Sequence, residues 1–218
     1  MLQDEELERL RKRTAALELP PDTFRAIGHR LIDQLADFLV ELPSRPVTPA
    51  ETPADVRSAF ATSRPLPDAG SDPAAIIPEA AEKLIAHSLF NGHPRFFGYV
   101  TSSAAPIGAL ADLIASTLNC NVGAWKLGPA ATEIEAQTIR WIADFIGYPR
   151  ECGGLLVSGG NMANFVGFLA ARAAAGSAIR KEGLIATRPL RCYCSSETHT
   201  WIEKAADISG LGTDAIRW

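Results

Sequence analysis

The sequence of 218 residues predicts an α/β domain preceded by a helical segment, and three stretches carry that prediction. Leu155, Leu156 and Val157 form a short apolar run, Ser158-Gly159-Gly160 a glycine turn, and Asn161 onward a helix start. A strand delivered into a helix through a tight turn is the repeating unit of a sheet covered by helices. Residues 190 to 194 followed by a helix from Thr200 repeat the pattern, whereas Phe24, Ile27, Leu31, Leu35, Phe38 and Leu42 recur at helical spacing well ahead of it.

Taken in order, residues 4 to 17 are charge-rich with leucines at 7, 10 and 17, a short helix that Pro20-Pro21 ends. The helix from Asp22 to Leu42 carries one broad apolar stripe, widened by Ile32 and Leu39, that suits packing inside the chain and packing against a second subunit equally. Eight prolines between Pro43 and Pro78 exclude any long regular element, so this is a surface connector with one short helix near Ala54 to Phe60. Residues 79 to 90 look helical. His93 to Val100 has the aromatic content of a strand, and residues 106 to 118 are alanine- and leucine-rich and helical. Thr132 and Glu135 are spaced as a capping box for a helix that Gly147-Tyr148-Pro149 stops, with Ile134, Trp141, Ile142 and Phe145 as its inward stripe. The helix after the glycine turn is anchored by Phe165, Val166 and Leu169 and runs to about Ala175. Thr200 and Glu203 are spaced as a second capping box, for a helix that Gly210 ends.

The turn at Gly159-Gly160 is chemically suggestive. Two glycines admit positive φ and close approach of the backbone, and the helix behind them offers unpaired N–H groups and a positive dipole end. It lacks the Gly-Lys-Ser/Thr ending of a nucleoside-triphosphate loop and the GxGxxG of a dinucleotide site, leaving a simpler phosphate group as its ligand. The same pattern also serves as an ordinary connection in α/β chains.

Four segments occur in a fixed order: His93-Pro94-Arg95-Phe96-Phe97-Gly98-Tyr99, Asn121 to Glu135, Ser158 to Asn164, and Ser195-Ser196-Glu197-Thr198-His199-Thr200. Together they resemble the group II pyridoxal-phosphate-dependent amino acid decarboxylases, most closely the aromatic amino acid branch, from about residue 20 to the last residue. The resemblance implies the start of a fold-type I large domain, a mainly parallel sheet with flanking helices. It implies pyridoxal 5'-phosphate as cofactor and decarboxylation of an L-amino acid to an amine and carbon dioxide in a homodimer, while the cytoplasm is the default expectation from composition. On the family pattern Gly160 and Asn161 hold the cofactor phosphate, His199 stacks on the pyridine ring as the catalytic histidine, and Thr200 orients the cofactor. Tyr99, Thr101, Ser102, Asn121 and Gly123 border the substrate, residues 1–85 form the dimerisation segment with its proline-rich connector, and residues 86–218 the first part of the cofactor-binding domain. Animal aromatic decarboxylases carry bulky apolar side chains where Asn121 and Gly123 stand, so a larger or more polar pocket is expected here. Asn121 also suits a turn. A carbon–carbon lyase or aldehyde-forming relative with the same cofactor is the rival activity, and a non-catalytic partner subunit the rival role.

In the family the Schiff-base lysine and the aspartate facing the pyridinium nitrogen lie downstream of the His199 motif. The five lysines here stand at 12, 83, 126, 181 and 204, and none matches that position. The chain therefore reads as the N-terminal half of such an enzyme, inactive by itself.

Composition narrows the alternatives. With 47% hydrophobic and 21% charged residues and a net charge of -4, the chain can form a core and offers no basic surface for nucleic acid. No apolar run approaches the ~20 residues of a membrane span, and the first residues have no secretory pattern. Cys120, Cys152, Cys192 and Cys194 form no CxxC pair, and the four histidines form no HExxH, so no metal site is expected. Cys192 and Cys194 share one face of their strand, which favours packing over pairing.

Overall fold

The structure, a computed structural model, describes residues 4–13, 17–186 and 188–218. The chain divides into two compact units, Met1–Ser116 and Thr117–Trp218.

The first unit is helical. Helix α1 (Asp4–Arg11) is shorter than the expected 4 to 17, and residues 14–16 lie outside the described residues. Helix α2 (Pro21–Glu41) matches its apolar periodicity, with Pro21 pre-set for the first turn. Ile27, Leu31, Gln34 and Phe38 are its half-covered face. They pack against α4 (Pro73–Ala86), where the Gln34 side chain donates to the Pro78 carbonyl at 3.3 Å. The other edge of the stripe, with Phe24, Ile32, Leu35 and Leu39, is exposed. Helix α3 (Pro53–Ala59) has a complete capping box between Thr52 and Asp55, and the Thr52 hydroxyl and N–H hold the Asp55 carboxyl below its ordinary range. The connector was expected to continue to Pro78, yet α4 starts at Pro73, capped by Asp72, and carries Pro78 inside it. Proline there removes one helical hydrogen bond, but its ring is buried toward α2 and its carbonyl is used by Gln34. Helix α5 (Pro106–Leu118) follows as expected.

Residues 93 to 100 are not a strand. They form successive turns around His93, which is only 2% exposed and spends both ring nitrogens on the backbone. Nδ1 accepts the Arg95 N–H at 3.0 Å, so Nε2 carries the proton it donates to the Arg45 carbonyl at 2.9 Å. Arg95 Nη2 donates to the same carbonyl at 3.0 Å, and the Phe38 and Phe90 rings meet at a tilt of 50° with centroids 5.0 Å apart. A turn held by side-chain to backbone bonds supplants the strand that aromatic content suggests.

The second unit is built on a parallel strand, helix and strand. After the short helix α8 (Ile179–Glu182), strands β1 (Cys192–Tyr193) and β2 (Ile216–Arg217) pair in parallel, Cys192 with Ile216 and Tyr193 with Arg217, and α9 (Trp201–Ile208) connects them. Ile202, Ala206 and Ile216 form the buried centre, with Phe168, Cys192, Cys194, Trp201 and Leu211 packed on it. Cys192 and Cys194 thus face the core together, as their spacing predicts, and burial with the neighbouring thiol raises the Cys192 pKa. Helix α6 (Pro129–Ile146) ends at Gly147, whose φ of +71° is left-handed, with the Tyr148 N–H closing on the Ala143 carbonyl at 2.8 Å. Its start differs from expectation. Pro129 begins the helix, so Thr132 lies within it and turns its hydroxyl back to the Gly128 carbonyl at 2.8 Å, and no capping box forms. The stripe of Ile134, Trp141, Ile142 and Phe145 is exposed, Phe145 at 91%. The covered side is the opposite one, where Glu135, Ala136, Ile139 and Ala143 lie.

Candidate cofactor turn and its surroundings

Helix α7 (Gly160–Ala174) starts directly at the glycine turn. Gly159 adopts φ +88° and ψ 162°, a region that side-chain-bearing residues avoid, so the chain can turn sharply into the helix. The Ala163 N–H bonds the Gly159 carbonyl at 3.1 Å, while no side chain caps the helix and no acidic residue sits in its first turn. A Cβ added at Gly159 or Gly160 would meet nothing within 4 Å. Uncapped N–H groups, open space and the absence of carboxylates fit an anion the size of a phosphate group. The approach differs from the expected buried strand: residues 155–157 form no ladder, and Leu155 and Leu156 are exposed. The Leu156 N–H instead donates to the Glu135 carboxylate at 2.7 Å.

His199 and Thr200 stand where β1 leads into α9, and both are exposed. The expected capping box of Thr200 and Glu203 is absent, because Thr200 is already in helical conformation and its hydroxyl makes no cap bond. His199 takes over: its Nδ1 accepts the Trp201 N–H at 3.3 Å, and the Trp201 ring meets Phe168 edge-on at 6.2 Å. Asn161, Met162 and Phe165 of α7 and Trp201, Lys204 and Ile208 of α9 line one groove of about 380 Å³. Residues Gly160-Asn161 and His199-Thr200, far apart in sequence, thereby sit at the heads of two helices that share a wall.

Asn121 and Gly123 are exposed and joined by a turn in which the Asn121 side-chain oxygen accepts the Gly123 N–H at 2.8 Å. A Cβ at Gly123 would lie 2.9 Å from that oxygen, so the glycine serves the turn as well as any pocket. Trp125 Nε1 donates to Glu133 at 2.8 Å, fastening the same loop to α6. In the first unit Tyr99, Thr101 and Ser102 are exposed, and Tyr99 adopts φ +59°, an uncommon conformation for an aromatic residue. A reading based on capping patterns passes over Glu133 and assigns Glu135 to its own helix start, whereas their partners are Trp125 and the Leu156 N–H. Their signal is the alternation in Thr132-Glu133-Ile134-Glu135, which sends two carboxylates from different sides of one helix.

Residues 61–218 match the profile described as the pyridoxal-dependent decarboxylase conserved domain. A tyrosine decarboxylase of Oryza sativa subsp. japonica is 31% identical over 211 residues, covering 93% of this chain and 38% of the relative. A phenylacetaldehyde synthase of Petunia hybrida is 30% identical over 213 residues, covering 91% and 40%. Among solved structures, mouse CSAD superimposes with a TM-score of 0.80 at 24% identity, over 91% of this chain and 41% of that one, a likeness of fold. The chain thus spans between 38% and 40% of the length of these curated relatives.

Proposed function

Because this chain belongs to the pyridoxal-dependent decarboxylase family, we propose that the protein that carries it removes carbon dioxide from an L-amino acid to give the amine. The family's cofactor is pyridoxal 5'-phosphate, and the turn into α7 is the observation that carries the reading. The N–H groups of Gly160, Asn161 and Met162 face outward from a helix head that nothing caps, with Gly159 bent to leave them open. When bound, the cofactor supplies the sink for the electron pair left behind as carbon dioxide departs. The chain's residues bind and orient. Gly160 and Asn161 hold the phosphate, and the His199 imidazole, pinned through Nδ1 to the head of α9, offers a ring face for stacking and Nε2 as a site for a proton. The Thr200 hydroxyl is not consumed by capping and is available to the cofactor.

Tyr99, Thr101 and Ser102 together with Asn121 and Gly123 border the substrate in this reading. The Asn121 oxygen is held by its turn, so the amide nitrogen is the polar group it can offer. Residues 1–85 form the dimerisation segment, supported by the apolar edge of α2 that α4 leaves uncovered, and residues 86–218 open the cofactor domain. Among the described residues no helix is long and apolar enough to cross a membrane, and the four cysteines are unpaired, which suits the reducing cytoplasm.

The test is to purify the full-length gene product with pyridoxal phosphate, reduce it with borohydride, measure its intact mass and identify the product of each L-amino acid supplied. One covalent adduct with amine and carbon dioxide as products is expected. The resemblance to the petunia phenylacetaldehyde synthase supports a second reading, which an aldehyde product would establish. A protein carrying no adduct and co-purifying with a longer subunit would replace both with the non-catalytic role.

A further inference from the structure

We propose that Glu135 is a positioning residue for the cofactor turn. Leu156 lies just ahead of Ser158-Gly159-Gly160, in a stretch that no strand ladder holds. What fixes this stretch is α6. The Glu135 carboxylate accepts the Leu156 N–H at 2.7 Å, the short distance of a charge-assisted hydrogen bond, and a Cβ at Gly154 would lie 2.9 Å from Ile139 Cγ2 one helical turn further along. Glu135 is half-buried as a residue, while the bond itself lies at the surface, so its weight rests on its short length and on its being the tie that this N–H makes. The spacing of Thr132 and Glu135 would ordinarily turn the carboxylate back onto its own helix start. Here Pro129 has moved that start upstream, Thr132 bonds the Gly128 carbonyl, and Glu135 is released to reach across to the turn.

Glu133 supplies the built-in comparison. It leaves α6 about 200° around the helix from Glu135 and binds Trp125 Nε1 at 2.8 Å, in the loop that contains Asn121 and Gly123. Two carboxylates of the same helix therefore anchor two different segments, and only Glu135 leads to the turn. This inference rests on the reading that Gly160 and Asn161 hold the cofactor phosphate.

The experiment uses the full-length protein with Glu135→Ala, Glu135→Gln and Glu133→Ala, and reads amide hydrogen exchange at Leu156 without cofactor and pyridoxal phosphate affinity by its absorbance. Glu135→Ala should speed exchange at Leu156 and weaken pyridoxal phosphate binding about tenfold, the scale of one lost charge-assisted hydrogen bond. Glu135→Gln keeps an acceptor oxygen without the charge and should fall between the wild type and Glu135→Ala in both. Glu133→Ala should leave both unchanged. Equal loss of affinity in Glu135→Ala and Glu133→Ala, or faster Leu156 exchange with affinity intact, overturns the positioning role alone. A wild-type protein that takes up no pyridoxal phosphate overturns the cofactor reading and this inference with it.

Discussion

Adjacent glycines at the head of α7 should respond to the same substitution in opposite ways. Gly159 has φ +88° and ψ 162°, whereas Gly160 is the first residue of the helix, and an added Cβ meets nothing within 4 Å at either position. Packing therefore drops out of the comparison. Alanine restricts the unfolded chain equally at the two sites, a gain of about 0.4–1 kcal/mol for compatible positions, so this contribution cancels between the variants. What remains is backbone strain at residue 159, about 1–3 kcal/mol for a side chain held in that region. With a urea dependence of about 1–3 kcal/mol per M, the unfolding midpoint of Gly159→Ala should fall below that of Gly160→Ala by roughly 1 M. Cofactor binding should follow a different order. The open space above Gly160 is where the phosphate is proposed to sit, so Gly160→Ala should keep its stability and still bind pyridoxal phosphate about tenfold more weakly. Coincident urea midpoints would refute the strain argument. Unaltered affinity in Gly160→Ala would refute close approach of the backbone to the phosphate.

Three further outcomes follow from the geometry. His93→Ala removes a buried side chain that bonds the backbone through both ring nitrogens and opens a cavity, and should cost about 2–4 kcal/mol in chemical denaturation, whereas Arg95→Ala, which removes one exposed donor, should cost well under half as much. Because burial and the Cys194 thiol raise the Cys192 pKa, its reactive thiolate forms at higher pH than in the unfolded chain, so iodoacetamide should label Cys192 more slowly folded than unfolded, the lag shrinking as pH rises through the folded pKa. The sign for stability is the same: between the two pKa values the unfolded state binds fewer protons, and stability falls as pH rises. Leu35→Asp, on the exposed edge of α2, should lower the dimer fraction of the full-length protein in sedimentation while leaving its circular dichroism unchanged; an undisturbed dimer would place the interface elsewhere.

Periodicity located the elements better than it oriented them. The boundaries of α2 and α5 and the glycine stop of α6 follow from spacing, proline and glycine, all of which act within a few residues. The orientation of α6 does not. Ile134, Trp141 and Phe145 form a proper helical stripe, yet the residues of the second unit cover the opposite face, and a stripe by itself does not say what packs on it. The expected strand at 155–157 fails for a related reason. Strand propensity records a fit to a pleated neighbour, and the Leu156 N–H finds a carboxylate of α6 in place of one. Pro78 looks like a barrier in the sequence because its cost within a helix is local, whereas its compensation, burial against α2 and the bond from Gln34, comes from far along the chain.

The candidate site shows the same division between residue types and their partners. Thr-x-x-Glu occurs twice, at Thr132 and at Thr200, and neither pair closes into a capping box. At α6 the carboxylate that a box would use goes to the Leu156 N–H, just ahead of the glycine turn. At α9 the cap is supplied by His199, whose Nδ1 takes the Trp201 N–H, and this changes what the histidine can do. An imidazole fixed at one nitrogen has its ring plane set by the helix head, and when it carries a single ring proton that proton must reside on Nε2. Trp201, packed edge-on against Phe168, keeps the helix head in place. Capping and cofactor contact are therefore compatible roles of one side chain: the bond that completes α9 also sets the orientation in which the ring would meet a cofactor held at the head of α7.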